Sequence, residues 1–353
     1  MHHALEIAEL VEIICGHVAP SEELRRRKDL NAPGDRVKTF SVDDEGFFNP
    51  PEIYDSLRAC IHETSILPNL RSLDWPPRGD GLLKHVQLFL SPAITHLTAC
   101  MISSKNIPVL NTFTLKCPHV THLTIGADWE TPDAIAPISR LVCALQRLES
   151  LDVPGLDANA LLHVARLPTL RHLCLAAGVA PLPSLMTLTE SADYFAALTR
   201  LEYWAPECTP ALLQMIRRPL TDLKFRSGKA ATSSVVEPFI SALSHHCADA
   251  ALQNLWLLIH PIHADNLDSY LVGEEILKPL FSFGNLVSVR LAYPVGFDID
   301  DAVVRNMARA WPRLEALILP HHHPHHLPPI RVTLAGVYSL AKYCPLLERP
   351  TMS

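Results

Sequence analysis

Apolar residues recur along this chain in one fixed spacing, apolar-x-x-apolar-x-apolar. Nine full copies begin at Leu70, Val120, Leu148, Leu170, Leu198, Leu220, Leu252, Leu286 and Leu314. A weaker copy begins at Ile94. The starts of neighbouring copies lie 22 to 34 residues apart. The last two apolar residues of each copy are two positions apart, so their side chains point to one side of an extended strand. Each copy therefore predicts a short strand with one buried face.

The segments between these copies carry helix-start signals. Thr131-Pro132 and Thr209-Pro210 each place a hydroxyl residue before proline, and Asp300-Asp301 precedes Ala302–Ala310. One strand and one helix cannot bury their apolar faces alone, whereas stacked copies form a continuous core. We therefore predict an α/β leucine-rich-repeat solenoid, with short parallel strands on the concave face and helices on the convex face.

An ordinary α/β enzyme with a parallel sheet would show the same alternation of strands and helices. Two features of the sequence favour the solenoid instead. The strands share nearly one pattern, and no glycine-rich phosphate loop follows any of them.

The N-terminal segment is a candidate amphipathic helix, because three glutamates interrupt its apolar positions. The run from His3 to Val18 resembles the opening of an F-box. This run occurs together with the segments Leu67–Trp75 and Tyr343–Glu348. In this combination the chain resembles fungal, basidiomycete-type F-box proteins with irregular leucine-rich repeats.

This resemblance implies a non-enzymatic substrate-recruiting receptor of a Skp–cullin–F-box ubiquitin ligase. The F-box would dock a Skp-type adaptor, and the repeats would capture the protein to be ubiquitinated. The adaptor contacts would fall on the apolar positions Leu5, Ile7, Leu10, Val11 and Ile14. The predicted organisation is a partial F-box-like helix over residues 1–19, a polar basic linker over 20–38 and the solenoid over 39–353.

The F-box pattern stops at Val18, so the F-box is truncated relative to that family. A natural truncation, or a gene model lacking an internal segment, would each leave this pattern. A free-standing leucine-rich-repeat scaffold without ligase coupling is therefore the alternative function.

A protein target is expected on the concave face. Residues that flank the second apolar position of each copy point away from the core. The surface that they form carries side chains of both charges and one large aromatic residue. Trp256 beside Lys224 and Arg290 has the composition of an interface hot spot. The predicted target-binding residues are His122, Asp152, His172, Arg200, Glu202, Asp222, Lys224, Asn254, Trp256 and Arg290.

The composition indicates which kinds of partner the chain binds and in which cellular compartment it occurs. The 48% of hydrophobic residues suffice for a large core. Because 37 acidic residues outnumber 30 basic ones, for a formal charge of −7, we expect no nucleic-acid partner. No apolar run approaches the roughly 18 residues of a membrane span, so we expect no membrane partner. The nine scattered cysteines indicate reduced thiols in the cytoplasm or nucleus.

Candidate chemistry is sparse. His321–His326 holds five histidines in six residues, and such tracts bind Zn²⁺. We interpret it as a proline-flanked loop, while a metal-responsive binder remains a third possibility. Cys117 lies near His119 and His122, but its place before a strand indicates a core thiol. No Cys-x-x-Cys, His-Glu-x-x-His, Gly-x-Ser-x-Gly or Walker motif is present. We predict no catalytic residues, metal site or cofactor.

Overall fold

The computed structural model describes part of the chain, and the chain divides into two compact units, Met1–Val164 and Ala165–Ser353. The described residues are 37–41, 54–55, 58, 65–75, 83–102, 106–127, 132–175, 193–204, 209–216, 218–227, 233–246, 251–259, 272–293, 297–319 and 331–352.

Within the described residues, the first unit carries five parallel strands that follow chain order across the sheet. The strands are β1 (Thr39–Ser41), β2 (Ser72–Trp75), β3 (His96–Ile102), β4 (His122–Ala127) and β5 (Ser150–Val153). The helices are α1 (Pro108–Lys116), α2 (Ile135–Ala144) and α3 (Ala158–Ala165), with 3₁₀ turns at Leu83–Leu88 and Pro132–Ala134. Helix α1 packs against α2.

The second unit repeats this plan with more strands. Its strands are β6 (His172–Leu175), β7 (Arg200–Tyr203), β8 (Asp222–Ser227), β9 (Asn254–Ile259), β10 (Val272–Gly273), β11 (Ser288–Ala292), β12 (Phe297–Asp298), β13 (Ala316–Leu319) and β14 (Arg349–Met352). Its helices are α4 (Thr209–Met215), α5 (Ser233–His246), α6 (Glu274–Leu277), α7 (Asp301–Ala310) and α8 (Leu334–Tyr343), with a 3₁₀ turn at Lys278–Ser282. Strands β10 and β12 pair with each other, and the remaining strands form one parallel ladder in chain order.

Each of the ten repeat copies forms a strand, including the weak copy at Ile94. The apolar positions of each copy are buried, as at Leu220, Leu223 and Phe225, which are at most 2% exposed. The prediction of an α/β fold with one short parallel strand per repeat is therefore confirmed. Asp300 also caps α7 as expected, because its carboxylate accepts the amide N–H groups of Ala302 and Val303 at 2.9 and 3.0 Å.

A repeated hydrogen-bond turn connects neighbouring copies. The carbonyl of Thr199 accepts the amides of Thr221 and Asp222 at 2.9 and 3.1 Å, and the Thr221 hydroxyl oxygen lies 3.1 Å from the same carbonyl oxygen. Thr199 binds the carbonyl of Arg171 in the same way. These turns align Leu201 with Leu223. Consequently the polar residues of successive strands lie directly opposite one another on the other face of the sheet.

Candidate functional site

Eight of the ten predicted target-binding residues lie in the second unit, in two rows across the sheet. The first row is His172, Arg200, Asp222 and Asn254, and the second is Glu202, Lys224, Trp256 and Arg290. All of them except Arg290 line one open cavity of about 320 Å³, together with Leu201. The structure therefore brings these predicted residues to one surface, which we call the strand face.

Asp222 organises the first row. Its Oδ1 accepts the Asn254 side-chain amide at 2.8 Å, and its Oδ2 accepts the Thr221 hydroxyl at 2.6 Å. The Nε of Arg200 lies 3.5 Å from the same Oδ2. The Arg200 side chain is 66% exposed against 20% for Asp222. Asp222 is therefore the less exposed partner, and its carboxylate is also bonded by Thr221 and Asn254.

Glu202 organises the second row. Its Oε2 lies 3.7 Å from Lys224 Nζ, and its Oε1 lies 3.3 Å from Arg226 Nε. The indole N–H of Trp204 donates to Oε1 at 3.3 Å. Arg226 in turn covers the Trp204 ring at 5.1 Å. Sequence reasoning missed Arg226 and Trp204 because both follow the last apolar position of their copies. Their occurrence at that same position in adjacent copies was the available signal.

Trp256 lies at the centre of the second row, between cations from the two flanking strands. Lys224 Nζ on β8 is 4.5 Å from the ring centroid, and the guanidinium carbon of Arg290 on β11 is 5.7 Å away. The indole is half-buried although it lies on the solvent side of β9. Cations at these distances attract the ring electrostatically and hold its orientation.

Cys174 flanks the second apolar position of its copy, as the residues of these rows do, but it is buried. Its side chain is only 5% exposed. Cys174 lies opposite Glu202 in the ladder, and a thiol is short enough to be covered by longer neighbouring side chains.

The other two predicted residues, His122 and Asp152, lie in the first unit on β4 and β5. The His122 ring stacks on His96 with centroids 4.1 Å apart. Thr95 and Thr121 hydrogen-bond the Nδ1 atoms of the two rings, each at 2.9 Å. Burial and the neighbouring His122 lower the pKa of His96, so its neutral form is favoured.

His96 was missed as a site residue because its repeat copy is weak. The shared tripeptide Thr-His-Leu, at Thr95–Leu97 and Thr121–Leu123, was the available signal.

Other sequence predictions fall outside the described residues. They are the partial F-box-like helix 1–19, residues 20–36 of the basic linker, and the histidine tract 321–326. The helix includes the adaptor residues Leu5, Ile7, Leu10, Val11 and Ile14.

The chemistry of the described residues offers no metal site of three or more His, Cys, Asp or Glu side chains. Burial raises the pKa of the Cys117 thiol to about 12. A nucleophilic cysteine needs a lowered pKa, so Cys117 behaves as the core thiol that its sequence position indicated. Within the same described part, no helix has the length and apolar character that a membrane crossing requires.

No protein-family model matches the chain, and no curated protein matches it. Among solved structures, the chain is similar to the leucine-rich repeat-containing protein LegL7 from Legionella pneumophila. The match has 14% identity and a TM-score of 0.32, and it covers 89% of this chain and 82% of LegL7. A TM-score this low carries no weight, so the assignment of the fold rests on the strand order and register described above.

Proposed function

We propose that this chain is a non-enzymatic protein-interaction module that binds a protein target on the strand face. The observation that carries the proposal is Trp256, half-buried on the solvent side of the sheet between Lys224 and Arg290. Tryptophan and arginine are the residues most enriched in interface hot spots, because they combine large apolar contact with directed polar groups. The adjoining cavity of about 320 Å³ offers a partner side chain a place to bind.

Affinity capture with the full chain tests this proposal. Tyr338→Ala is a matched control, since Tyr338 is a 68% exposed aromatic on helix α8 of the same unit. Proteins captured by the unmodified chain and by Tyr338→Ala should be lost with Trp256→Ala. A hot-spot truncation that costs about 2 kcal/mol weakens binding by about 30-fold. If Trp256→Ala captures the same proteins, the strand face is not the binding surface.

The finer proposal is that the chain is the substrate-recruiting receptor of a Skp–cullin–F-box ubiquitin ligase. Its support is the resemblance of residues 3–18 to the opening of an F-box. The alternative is a free-standing leucine-rich-repeat scaffold without ligase coupling, because the F-box pattern stops at Val18.

Co-purification with a fungal Skp-type adaptor separates these two functions. A receptor should bind the adaptor stoichiometrically, and Leu10→Asp should abolish binding because it places a charge among the apolar positions. Glu9→Gln, on the predicted polar side, should bind as the unmodified chain does. Failure of the intact chain to bind would leave the scaffold as the function, and the strand-face proposal would be unaffected.

A further inference from the structure

The strand face has more cations than carboxylates, in a chain whose formal charge is −7. Around Trp256 the described face carries two carboxylates and four cationic side chains. The carboxylates are Glu202 and Asp222, and the cations are Arg200, Lys224, Arg226 and Arg290. An excess of positive charge on one surface of an acidic protein favours approach of an anionic partner.

Three of these cations already have a carboxylate partner. Arg200 lies 3.5 Å from Asp222, and Glu202 serves both Lys224 at 3.7 Å and Arg226 at 3.3 Å. Each carboxylate also accepts further hydrogen bonds from neighbouring side chains. Glu202 on β7 and Asp222 on β8 belong to strands that do not adjoin β11, where the fourth cation lies.

Arg290 is that fourth cation. Among the described residues it has no carboxylate within ion-pair distance, and its buried Nε has no hydrogen-bond acceptor. Trp256 lies opposite it on β9 and Ile318 lies opposite it on β13, so neither neighbouring strand offers an acidic side chain at this position. The positive charge of Arg290 is therefore not paired with a carboxylate on the described face, and a charge-assisted hydrogen bond to an anionic oxygen of a partner would gain free energy.

We propose that the target presents an anionic side chain, with carboxylate or phosphate oxygens, to Arg290 beside Trp256. This inference rests on the proposed binding of a protein at the strand face. The anionic oxygens pair with the Arg290 guanidinium, and Lys224 on the other side of Trp256 adds a second positive charge. Residues next to the anionic one pack on the exposed part of the indole.

A peptide fits this surface better than a nucleic acid. Lys224 and Arg290 both cover the Trp256 ring, so its face is not free to stack on a base as single-strand binding requires. Two surplus positive charges are also fewer than proteins use to follow a phosphate backbone.

The test uses the full chain and three bead-bound peptide libraries that differ only in a fixed central residue: glutamate, phosphoserine or glutamine. We expect binding to at least one anionic library about tenfold tighter than to the glutamine library. Arg290→Gln should remove this preference. Arg305→Gln, which changes an exposed arginine on helix α7, should keep it. Equal urea midpoints for the two variants and the unmodified chain establish that all three are folded.

Each outcome has a separate meaning. A preference for glutamate alone identifies a carboxylate, and a preference for phosphoserine alone identifies a phosphorylated target. Equal binding to all three libraries that is lost in Trp256→Ala would overturn the anionic target but keep the proposed function. Binding that is insensitive to Trp256→Ala, or absent from every library, would count against both. Stronger binding of a single-stranded RNA oligomer than of any peptide would also overturn the inference.

Discussion

Neighbouring leucines on strand β9 should respond very differently to the same truncation. Leu255, Leu257 and Ile259 point into the core, and Leu257 is 2% exposed. Leu258 is the next residue along the chain, but it lies half-buried on the opposite side of the strand. The pair Leu257→Ala and Leu258→Ala therefore changes the same chemical group on the two faces of one sheet.

The expected magnitudes follow from burial. Leu257 lies between Phe225 and Leu291 on the adjacent strands, so its truncation leaves a cavity enclosed by core side chains. Leu→Ala changes of this kind cost 2–5 kcal/mol, and we expect about 3 kcal/mol here. Leu258→Ala leaves no enclosed cavity and should cost about 1 kcal/mol or less. With a urea slope of about 2 kcal/mol per molar, the midpoints should fall by about 1.5 M and 0.5 M or less.

Urea unfolding of the full chain, followed by far-ultraviolet circular dichroism, measures this difference. Because repeat proteins can unfold in segments, hydrogen exchange of the β9 amides should be recorded in parallel. Faster exchange in Leu257→Ala than in Leu258→Ala would locate the loss on this strand. Equal losses, or a larger loss for Leu258→Ala, would refute the assignment of the two faces.

Three further predictions concern other parts of the chain. A Cβ atom at Gly336 would lie 2.7 Å from Asp301 Oδ1, so Gly336→Ala should lower the urea midpoint. Gly273→Ala, which meets nothing within 4 Å, is the control and should not lower it. Hydrogen bonds from the Thr333 side chain and amide lower the pKa of Asp301. The resulting stabilisation is present above the unfolded pKa of about 4 and is lost as pH falls through the folded pKa. The urea midpoint should therefore fall less between pH 6 and pH 3 in Asp301→Asn than in the unmodified chain, and equal falls would contradict this. With a pKa of about 12, only about one Cys117 thiol in ten thousand is a thiolate at pH 8. Mass spectrometry should find it unmodified by iodoacetamide until urea unfolds the chain, whereas rapid modification of the folded chain would show that it is accessible.

The surface around Trp256 was only partly predictable. The repeat copies align Glu202, Lys224, Trp256 and Arg290 at one position, so the row itself could be derived from sequence. The hydrogen-bond partners of these side chains could not be derived from sequence, because they depend on rotamers and on diagonal contacts between strands. The Arg226–Glu202 pair is such a contact, because Glu202 is in register with Lys224 and not with Arg226.

The amino-acid sequence by itself determined where the repeat strands lie and which side of each is buried. A strand has a period of two residues, so each repeated copy specifies its own core side chains, from Leu70 through Leu319. Only the tertiary structure showed that β1 and β14 pair as strands, that β10 pairs with β12, and that Cys174 is buried. Edge pairing and side-chain cover arise between residues far apart in sequence, and the local hydrophobic pattern of one segment carries no information about them.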